Sequence, residues 1–191
     1  MWDKIKTENL QFLLVDFQEK FFKILDRGHV DTVRRNILLL VRMFDRLGIP
    51  MSGTEHYVKG LGHTDSRVLE AWAGEPFSDK VIFSCCGDPV FRRRIQDQNR
   101  PVVVVAGLET HICVLQTTLD LIEDGHQVVV LMDACLSSTT LRWKNGLELM
   151  KDAGAVVMNT ETLLFKLLGR AATPDFKYMV GLIKEMQSAE S

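Results

Sequence analysis

Six short apolar runs recur along the 191 residues, at Phe12 to Val15, Ile49 to Met51, Val81 to Phe83, Val102 to Ala106, Val128 to Met132 and Ala155 to Met158. Between most of them, apolar residues return at helical spacing. Val30 to Leu47 carries Val33, Ile37, Leu40 and Phe44 on one side, and Pro89 to Gln98, Thr110 to Glu123 and Thr140 to Asp152 follow. Parallel strands need a long crossover, and a helix is the usual one. The alternation therefore predicts an α/β fold: a three-layer sandwich with a six-stranded, mostly parallel sheet and helices on both faces. Gly48, Gly125 and Gly154 stand where helices would stop, and two further helices are expected near Glu161 to Leu168 and Pro174 to Gln187. The stretch from Gly53 to Asp79 has no clear period and reads as a long, site-lining or subunit-contacting connection.

This length suits one domain spanning residues 1–191, since no linker or repeat divides it. A formal net charge of -2 gives no general attraction to polyanions, so nucleic acid is not an expected partner. Four cysteines, Cys85, Cys86, Cys113 and Cys135, lack the density of a disulfide scaffold and the spacing of a zinc site. Met1 to Leu10 mixes acidic and basic residues, without the apolar centre of a signal peptide, and no apolar run reaches membrane-spanning length. The expectation is a cytoplasmic protein, with the mitochondrion left open and no membrane partner.

Chemistry concentrates where strands should end, because open parallel sheets bind ligands beyond their strands' carboxyl ends. The run Val102 to Val105 is broken by Gly107, and Thr110 is placed to cap a helix with Ile112, Leu115, Leu119 and Ile122 on one face. Cys113 then falls in the first turn, where unpaired N–H groups favour a thiolate. Asp16, after the first strand, could act as its base, and Lys80 could supply the charge that a buried carboxylate requires. Each residue also has an ordinary reading: Asp16 as a turn cap, Lys80 as a solvated strand start, Cys113 as core filler.

From Leu13 to about Lys184, however, the chain resembles the isochorismatase-like cysteine hydrolases. The resemblance is carried by Leu14-Val15-Asp16-Phe17-Gln18, by Thr54-Glu55 with Tyr57-Val58-Lys59-Gly60-Leu61-Gly62, by Lys80 before Phe83-Ser84, and by Gly107-Leu108-Glu109-Thr110-His111-Ile112-Cys113. Thr117 to Leu121 and Asp133-Ala134-Cys135 look like the eukaryotic isochorismatase domain-containing branch. The resemblance implies a Rossmann-like fold and a triad of Asp16 as general base, Lys80 as charge partner and Cys113 as nucleophile. It also implies a cis peptide between Leu108 and Glu109, with the backbone N–H groups of Glu109 and Cys113 forming an oxyanion hole.

In that mechanism Asp16 takes the thiol proton, the thiolate attacks a carbonyl carbon, and an acyl thioester forms. Asp16 then returns its proton to the leaving amine and activates the releasing water. Family members that cleave the vinyl ether of isochorismate lack this cysteine, so Cys113 points to a small-molecule amide as substrate. Phe17, Phe22, Glu55 and Tyr57 are the candidate substrate-binding residues, with Phe21 and Trp72 as further apolar lining or subunit contacts. No cofactor is expected. No metal is expected either, since the nicotinamidase metal spacing is not reproduced, and Glu55, His56 and His63 are the only local candidates. The alternative is a non-catalytic interaction protein that keeps the fold and acts through its surface, or an RNA-associated member of the family; Arg92-Arg93-Arg94 with Arg100 is the one basic cluster that could support the ribonuclease label carried by some relatives. Cys85 and Cys86 read as packing, or less readily as a redox pair. Relatives commonly assemble, and Phe176, Met179, Val180 and Ile183 offer an apolar face, so a homo-oligomer is expected.

Overall fold

In the computed structural model, which describes residues 1–188, six strands form a single sheet. They are β1 (Leu10–Val15), β2 (Met51–His56), β3 (Ser78–Lys80), β4 (Val102–Leu108), β5 (Gln127–Leu136) and β6 (Val156–Met158). The order across the sheet is β3-β2-β1-β4-β5-β6, and every neighbouring pair is parallel. Eight α-helices cover it: α1 (Arg27–Leu47), α2 (Val58–Leu61), α3 (Ser66–Ala71), α4 (Pro89–Asp97), α5 (Leu115–Glu123), α6 (Thr140–Asp152), α7 (Thr160–Leu168) and α8 (Pro174–Ser188).

Period-two alternation along buried strands divides the core into two layers. Phe12, Leu14, Val102, Val104 and Ala106 face α1, α7 and α8, whereas Leu13, Val15, Val103 and Val105 face α4, α5 and α6. Helix ends follow their local signals. Asp26, Asp65 and Asp88 cap α1, α3 and α4 by accepting backbone N–H bonds, and Gly48 closes α1 in the left-handed conformation.

Several sequence expectations are corrected. The second strand is Met51–His56 rather than Ile49 to Met51, because its polar residues are buried in the sheet and hid the strand pattern. The third is Ser78–Lys80, and the apolar run Val81 to Phe83 bends away from the sheet. The unpatterned stretch Gly53 to Asp79 holds most of β2, two short helices and the start of β3. Thr110 does not cap a helix: residues Thr110–Val114 form a single π-helical turn ahead of α5, and its hydroxyl is buried without a partner. That wider turn rotates the following helix, so Val114, Thr117, Thr118 and Leu121 are buried while Leu119 is exposed. The apolar face of α8 is not free for a subunit contact, since Met179 is in the core and Phe176 and Ile183 pack against it.

Strand order reverses between β1 and β4, which run in register from Leu10 opposite Val102 to Val15 opposite Gly107. The backbones close tightly there. Gly107 has φ +128°, and a Cβ at this position would lie 1.9 Å from the Val15 carbonyl oxygen. Gly107→Ala is expected to cost about 4 kcal/mol or more, among the largest single-residue effects. The measurement is chemical denaturation, where wild-type stability in the variant would contradict the close approach.

Candidate active site

At the switch point, Asp16 follows β1 with φ +48° and is completely buried. A buried carboxylate needs hydrogen bonds and a countercharge. Thr54, whose strand partner is Val15, donates its hydroxyl to Asp16 Oδ1 at 2.7 Å. Lys80, whose partner is His56, donates Nζ to Oδ2 at 2.6 Å. The same ammonium donates to the carbonyl oxygens of Ile82 at 3.2 Å and Phe83 at 3.0 Å. The bend after β3 therefore has a cause: the chain folds around the ammonium and gives it the acceptors that burial removed.

Cys113 sits in the π-helical turn after β4, almost fully buried. Oxygen, nitrogen and sulfur atoms of Asp16, His56 and Cys113 all lie within 4.8 Å of one another. Cys113 therefore lies in a buried π-helical turn rather than in the first turn of an α-helix, and its surroundings act against the thiolate expected from the sequence. Burial pushes the Cys113 pKa well up, the Asp16 charge pushes it further, and Lys80 only partly opposes them. Burial also raises Cys85 to about 11 and Cys135 to about 12. For Lys80, burial acts downward, but the charges of Asp16 and the nearby thiols outweigh it and the net shift is upward.

A cavity of about 550 Å³ opens onto Cys113. Its walls include Phe21, Leu61, Phe83 and Ile112, with His56, Glu109 and Arg142 as polar members. Of the candidate substrate contacts, none of Phe17, Phe22, Glu55 or Tyr57 lines it. Phe17 is buried against Phe22, whose ring lies beneath the Arg34 guanidinium. Glu55 accepts from Thr64 N at 2.6 Å and meets His63 Nδ1 at 3.0 Å, and Tyr57 is an exposed residue with φ +46° at the start of α2. Trp72 packs against Phe12 and Phe77.

Adjacent strand residues face opposite sides, so Glu55 and His56 cannot share one metal site. His56, two residues beyond Thr54, is the residue sequence reasoning placed in the wrong group, and period two along β2 was the available signal. The donor set that does converge, Asp16, His56 and Cys113, is a poor fit for a metal because Lys80 already meets the carboxylate's charge. The peptide between Leu108 and Glu109 is cis. Motif residues outside the crevice hold the scaffold: Gln18 brackets the His56 backbone, Thr117 accepts from Cys85 N, and Asp133 accepts from Thr160 at the start of α7.

Residues 11–162 match the family model described as the isochorismatase domain. The chain belongs to the isochorismatase family. Isochorismatase domain-containing protein 2 of Bos taurus is 34% identical over 173 residues, covering 90% of this chain and 81% of that protein. The structure of the MAR1 ribonuclease from Caenorhabditis elegans is similar with a TM-score of 0.81 at 35% identity, covering 93% of this chain and 91% of that one. The Escherichia coli YcaC gene product, described as an octameric hydrolase of unknown specificity, shares the fold with a TM-score of 0.86 at 18% identity, covering 97% and 93%. Isochorismatase family members are hydrolases, and this chain has their fold.

Removing Lys80 alone would strand a buried charge. Lys80→Met is expected to destabilise the fold by about 3–5 kcal/mol, and Asp16→Asn added to it should recover part of the loss. Because the folded pKa of Lys80 lies above its ordinary 10.5, its stabilising contribution is complete below that pH and lost as pH rises through the folded value. Urea unfolding of both variants, and of wild type up to strongly alkaline pH, measures these effects.

Proposed function

We propose that the chain is a cysteine-dependent hydrolase of a small amide-like substrate, working through Asp16, Lys80 and Cys113. The observation that carries this reading is the convergence of carboxylate, ammonium and thiol at one switch-point crevice with an apolar cavity in front of the sulfur. The upward shift of the thiol pKa fits a nucleophile that is deprotonated only during attack, which requires an adjacent base.

The substrate carbonyl enters against Phe21, Phe83 and Ile112, and Asp16 accepts the Cys113 proton as sulfur bonds to carbon. Lys80 holds the carboxylate in orientation and balances its charge. Backbone N–H groups of Glu109 and Cys113 stabilise the tetrahedral oxyanion. Collapse breaks the carbon–nitrogen bond, the proton passes from Asp16 to the leaving amine, and an acyl thioester remains for water to release.

A ribonuclease name among the relatives supplies a second reading, in which the chain acts on RNA. The basic triplet argues against it. Arg92 pairs with Asp124 and Arg93 pairs with Asp97, while Arg94 lies over Phe91 and donates to the Pro76 carbonyl and Arg100 donates to the Thr7 carbonyl, leaving no convergent basic platform at this cluster among the described residues. Assembly remains part of the proposal: Val81, Val90 and Leu141 are largely exposed apolar residues suited to contacts between copies of the chain.

The test uses p-nitrophenyl acetate, an activated acyl donor, with intact-protein mass spectrometry. Wild type is expected to release a stoichiometric burst of p-nitrophenolate and gain one acetyl group on Cys113, whereas Cys113→Ala gains none there and shows no burst. Acetylation of the other thiols with Cys113 left free would end the reading. Filter binding of single-stranded RNA should show no tight association; tight binding that collapses steeply with salt would favour the second reading.

A further inference from the structure

His56 takes no part in the steps above, yet it shares the crevice with the reacting groups. One of its ring nitrogens lies within 4.8 Å of both a carboxylate oxygen of Asp16 and the Cys113 sulfur. Nδ1 is buried and has no hydrogen-bond partner among the described residues. Buried ring nitrogens are ordinarily paired, so the unpaired Nδ1 leaves the hydrogen bonding of this imidazole incomplete in the resting crevice.

The ring is also held in place. It stacks on Phe83 with centroids 5.6 Å apart and planes 22° from parallel. Its backbone is fixed on both sides by Gln18, whose Oε1 accepts from His56 N at 2.7 Å and whose amide donates to His56 O at 3.1 Å. The imidazole is a wall of the cavity that opens onto the sulfur. Asp16, by contrast, already accepts one hydrogen bond on each oxygen, from Thr54 and Lys80. The ionisable groups facing this space are Asp16, Lys80, Cys113, Glu109 and Arg142, and among the described residues none of them pairs with His56.

We propose that His56 is the proton acceptor for the water that releases the acyl group from Cys113. This rests on the acyl-thioester reading and adds a second proton carrier to it. The water oxygen bonds to the acyl carbon while its proton moves to the imidazole. The carbon–sulfur bond then breaks, the sulfur takes the proton back from the imidazolium, and a carboxylic acid leaves. An imidazole is ordinarily the stronger base of the two available types. Acylation and deacylation thereby use different bases, each next to the atom whose proton it moves.

Acetylation by p-nitrophenyl acetate separates the two half-reactions, because p-nitrophenolate leaves without a proton. With His56→Gln the burst is expected to persist, while hydrolysis of acetyl-Cys113 slows on the order of 100-fold, as for loss of a general base. The acetyl adduct should then accumulate in the mass spectrum. His56→Ala should behave alike, and added imidazole should restore its deacylation, a response that a merely structural side chain would not give. Deacylation at the wild-type rate in His56→Gln overturns the proposal, as does loss of the burst in both variants. Failure of wild type to become acetylated at Cys113 overturns the underlying hydrolase reading instead, so the two failures are distinct.

Discussion

An ammonium and a carboxylate held 2.6 Å apart, both removed from water, set the terms for the structure around them. Neither charge can stay buried alone, and a direct pair leaves further donors and lone pairs to satisfy. Thr54 supplies the second bond to Asp16 from β2. The chain after β3 supplies the rest by turning two carbonyls toward Lys80. That turn has a second effect. It lifts Val81, Ile82 and Phe83 out of the sheet, so that Phe83 becomes a cavity wall and the stacking partner of His56. One electrostatic requirement thus ends a strand, builds a pocket and orients a side chain.

The pair can form because topology brings its members together. β1 lies between β2 and β4, so residues just past its end meet side chains from both directions. In-register pairing, Val15 opposite both Thr54 and Gly107, puts the three strand ends at one level. Gly107 then permits β4 to pass the Val15 carbonyl at a distance no side chain tolerates. The two apolar layers leave the crevice as the place where polar groups from distant segments accumulate.

How legible this was depends on what each segment must bury. β1 and β4 are covered on both faces and read as unbroken apolar runs, and α1 and α6 carry long apolar stripes. These were visible in the sequence. β2 was not, because Ser52, Thr54 and Glu55 are buried by hydrogen bonding rather than by hydrophobicity. The run Val81 to Phe83 misled for the opposite reason: its side chains are apolar, but its backbone serves Lys80. Asp16, Lys80 and Cys113 were singled out by their places near strand ends and a turn, and family motifs, which record chemistry directly, then gave them their expected roles. Arg142, which helps shape the cavity, belongs to no motif, and Phe83 and Ile112, though inside motifs, were not named as lining, because their meeting depends on the π-helical turn and the bend after β3, neither of which has a periodic signature.

Thiol reactivity in this crevice follows from access as much as from acidity. Cys85 lies 3.3 Å from the Thr54 hydroxyl that serves Asp16, so it shares the electrostatic surroundings of Cys113. Both thiols are raised above the ordinary cysteine value, by burial first and by the Asp16 charge second. Protonation state therefore does not single out one nucleophile. Cys113 differs in that it forms part of the cavity wall, whereas Cys85 is sealed beneath it. Burial and the Asp16 charge both disfavour the Cys113 thiolate, and Lys80 only partly opposes them. Under the proposed mechanism, the sulfur becomes nucleophilic as a carbonyl carbon takes the electron pair and the proton leaves. Under that same mechanism, selectivity would reside in what the cavity admits, through the walls contributed by the bent segment and the π-helical turn.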